Sequence, residues 1–381
     1  MKKQLTVALG LAVLATPVFA SKARLQALGE DSYGSAYIND NRNIWLNAAQ
    51  INNHKDLVTY EFGGNQTTDS AQNARGEGGV YKAHGNFVYG AHFGGASNTA
   101  NGMRAAAGLA GADEDNNIDL FIGGDAGMKW GANLGYAKTA DESSPLTAES
   151  MRSRLGVIMG DTQVYANVNL INNAKGTNGV KFNGELGYQV GAIHAWEGNT
   201  LFFDYRSFDA ESEAANKKDV SLMQAELGIG RVERLNDKTN LFAKASLFNA
   251  KVDNERTAGN VFGGAGCTAG TSSVLACEEY ETMRVPVVVG VETEAATWLT
   301  LRASVAHVVW GSEEDKNDER TIANSTKINA GATLKFGELS VDGVIGNGDA
   351  TTAVAGENTA AGNGTLRTDN LMSRVSMTYR F

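Results

Sequence analysis

The last eleven residues of the chain, Leu371 to Phe381, alternate in character to the final position. Leu371, Val375, Met377, Tyr379 and Phe381 fall on one face, and Met372, Arg374, Ser376, Thr378 and Arg380 fall on the other. A strand rises about 3.3 Å per residue and sends successive side chains to opposite sides. Eleven residues therefore make a strand long enough to cross a bilayer at a barrel's tilt, with one face suited to lipid and the other to water. A strand of this kind cannot stand alone, because its backbone edges must be paired by neighbours.

The rest of the sequence supplies those neighbours. From Leu57 onward, segments of alternating character follow one another. Met128, Trp130, Ala132, Leu134 and Tyr136 lie opposite Lys129, Gly131, Asn133 and Gly135, and Met283, Val285, Val287, Val289 and Val291 lie on one face of a later segment. Short connections, such as those around Gly160-Asp161, Asn236-Asp237 and Gly337-Glu338, alternate with long polar stretches at 64–77, 95–116, 140–149, 172–178, 209–218, 253–280, 311–323 and 348–368. Short turns on one side and long loops on the other are the pattern of an outer-membrane barrel. The expected fold is all-β, a transmembrane antiparallel up-and-down barrel of about sixteen strands, with fourteen as the alternative. Pro286 inside a strand removes a ladder donor and predicts an irregular pairing there. Trp130, Trp196 and Trp298 at short-turn ends and Trp310 at a long-loop end suit aromatic girdles.

Composition agrees. Glycine is abundant (45) and proline scarce (3), which is unlike a disordered linker. The formal net charge of −10 argues against a nucleic-acid partner. Residues 1–20 read as a signal peptide: Lys2 and Lys3 precede an apolar run, Leu5 to Ala15, and Val18-Phe19-Ala20 forms a small-x-small cleavage site, so the mature chain is expected to begin at Ser21. Residues 21–56 carry no barrel pattern, and both a periplasmic extension and a plug in the barrel mouth remain open. Residues 57–381 form the expected barrel. Cys267 and Cys277, ten apart in one long loop, suggest a disulfide in an oxidising compartment.

With the faces assigned, the inward charges can be named. The basic ones are Lys129, Arg152, Arg154, Lys181, Arg206, Lys244, Arg284, Arg302, Lys327, Lys335, Arg374 and Arg380, and the acidic ones are Asp119, Glu185, Asp204, Glu226, Glu292 and Asp342. A lipid-facing Arg or Lys costs about 2–4 kcal/mol at mid-depth, so their consistent placement opposite apolar residues predicts a wet, charged lumen. Acidic loop runs such as Asp113-Glu114-Asp115 and Glu313-Glu314-Asp315 are solvated tips or divalent-cation bridges to lipopolysaccharide phosphates. No histidine shows a spacing to Ser or Asp that suits catalysis, so no enzyme, metal or cofactor is expected.

The signal, the repeated strands and the terminal Tyr379-Arg380-Phe381 together resemble Gram-negative outer-membrane porins over roughly 57–381. The resemblance implies residence in the outer membrane, insertion by the barrel-assembly machinery through Tyr379 and Phe381, contact with lipid and lipopolysaccharide, a homotrimer, and passive diffusion of small hydrophilic solutes and ions through the lumen. It also implies a loop folded inward as a constriction; the longest loop, 253–280, is the candidate for that constriction or for an outer lid. A second resemblance lies in Asp40-Asn41-Arg42-Asn43-Ile44-Trp45-Leu46-Asn47-Ala48-Ala49, which is similar to the Asn-Pro-Ala segment near the mature start of fatty-acid and hydrocarbon transporters, with Ala48 where that family has proline. It implies a plugged lumen for hydrophobic compounds. The N-terminal wording is also similar to that of major outer-membrane proteins of predatory deltaproteobacteria. A closed structural or adhesive barrel displaying acidic loops is the third reading.

Overall fold

The strands of the computed structural model close on themselves. It describes residues 21–65, 76–95, 104, 117–140, 146–176, 180–212, 218–254, 279–315, 318–321, 326–347 and 371–381. Residues 1–20, Cys267, Cys277 and much of the long loops, 255–278 among them, lie outside these residues.

The wall runs through β1 (Leu57–Asn65), β2 (Glu77–His84), β3 (Phe87–Phe93), β4 (Ile118–Asp125), β5 (Lys129–Ala140), β6 (Thr147–Met159) and β7 (Thr162–Lys175), each antiparallel to the next. Next come β8 (Lys181–Gly184) and β9 (Gly187–Trp196), which form one stave, because both pair with β7 on one side and with β10 (Asn199–Ser212) on the other. After β11 (Lys218–Asn236), β12 (Thr239–Asn254), β13 (Glu279–Ala296) and β14 (Leu299–Asp315), the segments β15 (Asp318–Thr321) and β16 (Thr326–Phe336) again share a stave against β14. The wall ends with β17 (Leu339–Asn347) and β18 (Leu371–Arg380), and β18 pairs with β1 from Arg380↔Leu57 to Met372↔Asn65. The eighteen segments thus make sixteen staves of an antiparallel barrel closed by the pairing of β18 with β1.

Closure satisfies every strand's ladder without water, which is what a bilayer demands. The outer face is the apolar one. Tyr60, Tyr89, Leu120, Leu134, Leu155, Leu201, Leu227 and Val305 are among its exposed residues. Trp196, Trp298 and Trp310 are exposed on it as well. Tyr379 and Phe381 sit outward at the short-turn end, where the Phe381 amide donates to the Asp56 carbonyl at 3.1 Å.

Two departures from plain alternation matter. Opposite Pro286, the pairing shifts between Val285 and Pro286 and leaves Val309 of β14 unmatched, as a proline in a ladder requires. In β7, Leu170 is unmatched where the register with β6 shifts beside Met151 and Arg152. One extra residue turns the following side chains to the other face, so Ala174 of β7 faces inward and is buried. The break at Glu185-Leu186 does the same to β8, whose Phe182 is fully buried on the inner side. Lys181 and Glu185 were expected on the lumen face from unbroken alternation. Lys181 instead lies exposed opposite Phe182, and Glu185 is exposed within the break.

Candidate functional site

Residues 22–54 lie within the ring of strands. Three short helical turns fold the segment, each started by a side-chain cap that supplies an acceptor to an otherwise unpaired N–H. Ser21 caps the helix α1 (Lys22–Ala27), Asp40 caps the 3-10 turn Asn41–Trp45, and Asn47 caps the 3-10 turn Ala48–Asn52. None of these turns is long enough to be stable alone, so their order comes from the wall.

Helix α1 packs on β14, β16, β17 and β18, and the turn 48–52 packs on β3, β4, β5 and β6. Ala23, Leu25, Ala27, Leu28, Ala48, Ala49 and Ile51 are all fully buried. The wall makes room with glycine. Gly123 pairs with Gly131, and Gly131 with Gly156, on adjacent strands. A Cβ on Gly131 would collide with the Ala48 carbonyl and come within 2.6 Å of the Ala49 nitrogen, and one on Gly156 would collide with the Asn47 side chain. Across the barrel a Cβ on Gly331 would come within 2.6 Å of the Ala27 Cβ, and Gly230 sits equally close beneath Tyr37. Polar groups fix the rest. Asn52 donates to the Trp130 carbonyl at 2.8 Å, Gln50 donates to Gln163 at 2.8 Å, and Asn167 of β7 donates to the Leu46 carbonyl at 3.1 Å. Lys129 Nζ donates to Asn53 at 2.5 Å.

Three groups of charges join segment to wall. First, Arg24 donates to Glu292 of β13 at 2.9 Å and to Asp40 at 3.0 Å. Arg302 of β14 bonds Glu292 and reaches Asp342 of β17 at 3.2 Å, and Thr333 donates to Asp342 as well. Burial pushes the Asp40 carboxyl up to about 7, against the pull of Arg24. Second, Lys244 of β12 meets Glu30 at 2.8 Å, within electrostatic range of Glu226. Third, Glu61 of β1 and Glu77 of β2 stand directly opposite one another and are both buried. Like charges across a ladder repel. Here Lys22 Nζ binds Glu77 at 2.7 Å, the Lys22 amide donates to Glu61 at 3.1 Å, and Arg42 lies 2.8 Å from Glu77 and 3.7 Å from Glu61.

Other inward charges pair along the wall itself. Arg152 and Arg154 of β6 bond Asp119 of β4, the former at 2.8 Å, and Arg152 also donates to the Gly95 carbonyl. Arg206 bonds Asp204 at 2.8 Å, and Asp204 also accepts from Tyr165 and Gln189 at 2.6 Å each. Arg284 lies over the ring of Phe248, 4.4 Å from its centroid. Lys327 and Lys335 are half-buried on β16. His54 lies in the segment just ahead of β1, buried with neither ring nitrogen bonded, and burial pulls its imidazole down to about 3.

Sequence patterning missed two features of this interior. Glu61 and Glu77 belong to it, although Glu77 looks like a loop residue; Glu61 could have been found from its place between the outward Tyr60 and Phe62. The second is an apolar patch on the inner wall at the long-loop end. Ala148, Ala174, Phe182, Phe208, Ala210, Leu222 and Val252 form one buried cluster there. The β7 and β8 bulges bring Ala174 and Phe182 into it.

No family model and no curated protein matches this chain. Solved structures with a similar barrel include a bacterial polysaccharide outer membrane secretin (10% identity, TM-score 0.48, covering 85% of this chain and 98% of that one). A porin is similar at 14% identity and TM-score 0.40, over 85% of this chain and 99% of that one. The Ralstonia pickettii toluene transporter TbuX is similar at 13% identity and TM-score 0.37, over 95% of this chain and 98% of that one.

Proposed function

We propose that this chain is an outer-membrane channel whose lumen is held shut by its own residues 22–54. The lipid-suited outer face and closed ladder place it in a bilayer, and its short turns and long loops suit the outer membrane. The observation that carries the reading is the seat of the segment. It meets the wall from Glu61 of β1 round through Gly131, Asn167, Lys244 and Glu292 to helix contacts on β18. A freely diffusing porin needs an open bore at this level, whereas here residues 22–54 lie across it and bond to the wall on opposite sides. Passage then requires the segment to move, and the mechanism is gated diffusion along the polar wall that it leaves behind.

Planar-bilayer recording of the purified, folded protein tests this. The full chain should conduct rarely, and a protein lacking residues 22–54 should show large, long-lived steps. Equal conductance from both proteins would sink the proposal. A second reading concerns cargo. The apolar cluster around Phe182 and Phe208, on the inner wall at the loop end, favours apolar solutes over the small hydrophilic ones that porin resemblance implies. Uptake of a small aromatic hydrocarbon and of a sugar into vesicles bearing the protein separates the two.

A further inference from the structure

The third charge group is part of a larger cluster. Among the described residues, Lys22, Arg42, Arg152, Arg154 and Arg374 stand against Glu61, Glu77 and Asp119, an excess of two positive charges. These groups form one neighbourhood. Trp45 lies between two guanidinium groups, Arg42 at 5.1 Å and Arg154 at 5.0 Å from its ring. Its ring meets His92 edge-on at 4.9 Å, and His92 accepts or donates a 2.9 Å bond with Tyr81. Arg374 lies in electrostatic range of Arg42, Glu61, Glu77 and Tyr33, and Lys22 sits 5.8 Å from the Tyr33 ring centre.

A buried cluster with surplus positive charge is costly unless an anion completes it. The donors left over say where. Among the described residues Trp45 Nε1 and Arg374 Nη1 are buried with no hydrogen-bond partner, and His92 Nε2 has none nearer than the Glu77 carboxylate at 4.0 Å. Trp45 and His92 are almost wholly buried, at 5% and 1% exposure. Buried donors in folded proteins are nearly always paired, and guanidinium N–H groups suit oxyanions in particular. Tyr33 and Arg374 are only half-buried, which leaves a way in from water.

We infer that Trp45, Arg374 and the surrounding arginines form a binding site for a small oxyanion, a carboxylate or a phosphate group, at the junction of residues 22–54 with the wall. The site draws Arg42 and Trp45 from the segment and Arg154 and Arg374 from the wall. A bound oxyanion therefore ties the two together and favours the closed form. The binding itself does not depend on the channel reading, but the effect on closure does.

Calorimetric titration of the full, folded protein at low ionic strength tests it, with inorganic phosphate, succinate and chloride as separate probes. Saturable binding of phosphate, of succinate, or of both, with none of chloride, is expected, and whichever binds names the source. Arg374→Gln and Trp45→Phe should each weaken binding at least tenfold; the second keeps the ring and so the packing. Lys335→Gln, away from the cluster, should leave affinity unchanged. No saturable binding of phosphate or succinate by the parent protein overturns the inference, as does equal affinity in parent and Trp45→Phe. If an oxyanion binds yet leaves bilayer conductance unchanged, the site stands and its coupling to closure is overturned.

Discussion

Gly131 is the position at which the closed form is most exposed to a small change. Its missing side chain lets the Ala48 carbonyl and the Ala49 nitrogen rest on the β5 backbone. A Cβ added there would sit 2.6 Å from the Ala49 nitrogen, whereas ordinary contact begins near 3.4 Å. The segment must therefore withdraw by at least about 0.8 Å, and further to clear the Ala48 carbonyl, which is closer still. That motion stretches the 2.8 Å bonds from Asn52 to Trp130 and from Gln50 to Gln163 beyond hydrogen-bonding range. Two such bonds contribute about 1 kcal/mol each, and overpacking alone costs about 1–3 kcal/mol. Gly131→Ala should thus weaken seating by roughly 3–5 kcal/mol, a rise of about 160- to 5,000-fold in the displaced population. Single-channel recording reads this as open probability. Ala132→Val, one residue along and facing lipid, is the control and should stay as closed as the parent. Equal open probability in parent, Gly131→Ala and Gly131→Val would refute the claim that the glycine row is the seat.

Further expectations follow from the charges. Arg24→Ala leaves Glu292 to Arg302 but removes the only arginine side chain bonded to the buried Asp40 among the described residues; breaking a buried pair costs about 3–5 kcal/mol, and limited proteolysis should then cut within residues 22–54 while the barrel stays intact. His54 and Asp40 set opposed pH responses. Docked His54 titrates near 3 rather than 6.5, so the released segment takes up the proton and seating weakens as pH falls below about 6.5. Docked Asp40 titrates near 7 rather than 3.8, so the docked form keeps the proton and seating weakens as pH rises through that interval. His54→Gln leaves the second response alone, and its open probability should fall between pH 7.5 and pH 5, against a smaller change in the parent. Phe182→Ala should cost about 3–5 kcal/mol as a buried aromatic truncation, read as earlier unfolding in denaturant.

Much of the wall was legible because strand faces repeat every second residue and a bilayer punishes error. The phase set by Tyr379 and Phe381 carried through β1 and the later staves, and the stave count followed from turn lengths. Phase failed where one extra residue entered. Leu170 and the Glu185-Leu186 pair carry no composition that marks a bulge, so Lys181 and Phe182 exchanged sides. The caps at Ser21, Asp40 and Asn47 were visible as residue types, but the sequence left residues 22–54 open between a plug and a periplasmic extension. The apolar residues that the segment buries, among them Leu25, Leu28, Ile44 and Ile51, are scattered over short turns and form no long stripe to betray it. Its partners, Glu61 and Glu292, are more than thirty residues away in one case and more than two hundred and sixty in the other.

The opposed carboxylates of β1 and β2 bear on the order of assembly. Glu61 and Glu77 must come together whenever the first hairpin pairs. The cations that relieve them, Lys22 and Arg42, lie just ahead of that hairpin in the chain and bind Glu77. The first two strands are therefore most easily paired with the N-terminal segment already laid against them. The last zip, β18 onto β1, then seals it inside. On this order the closure is built in from the start, and an open channel is something the finished barrel has to become.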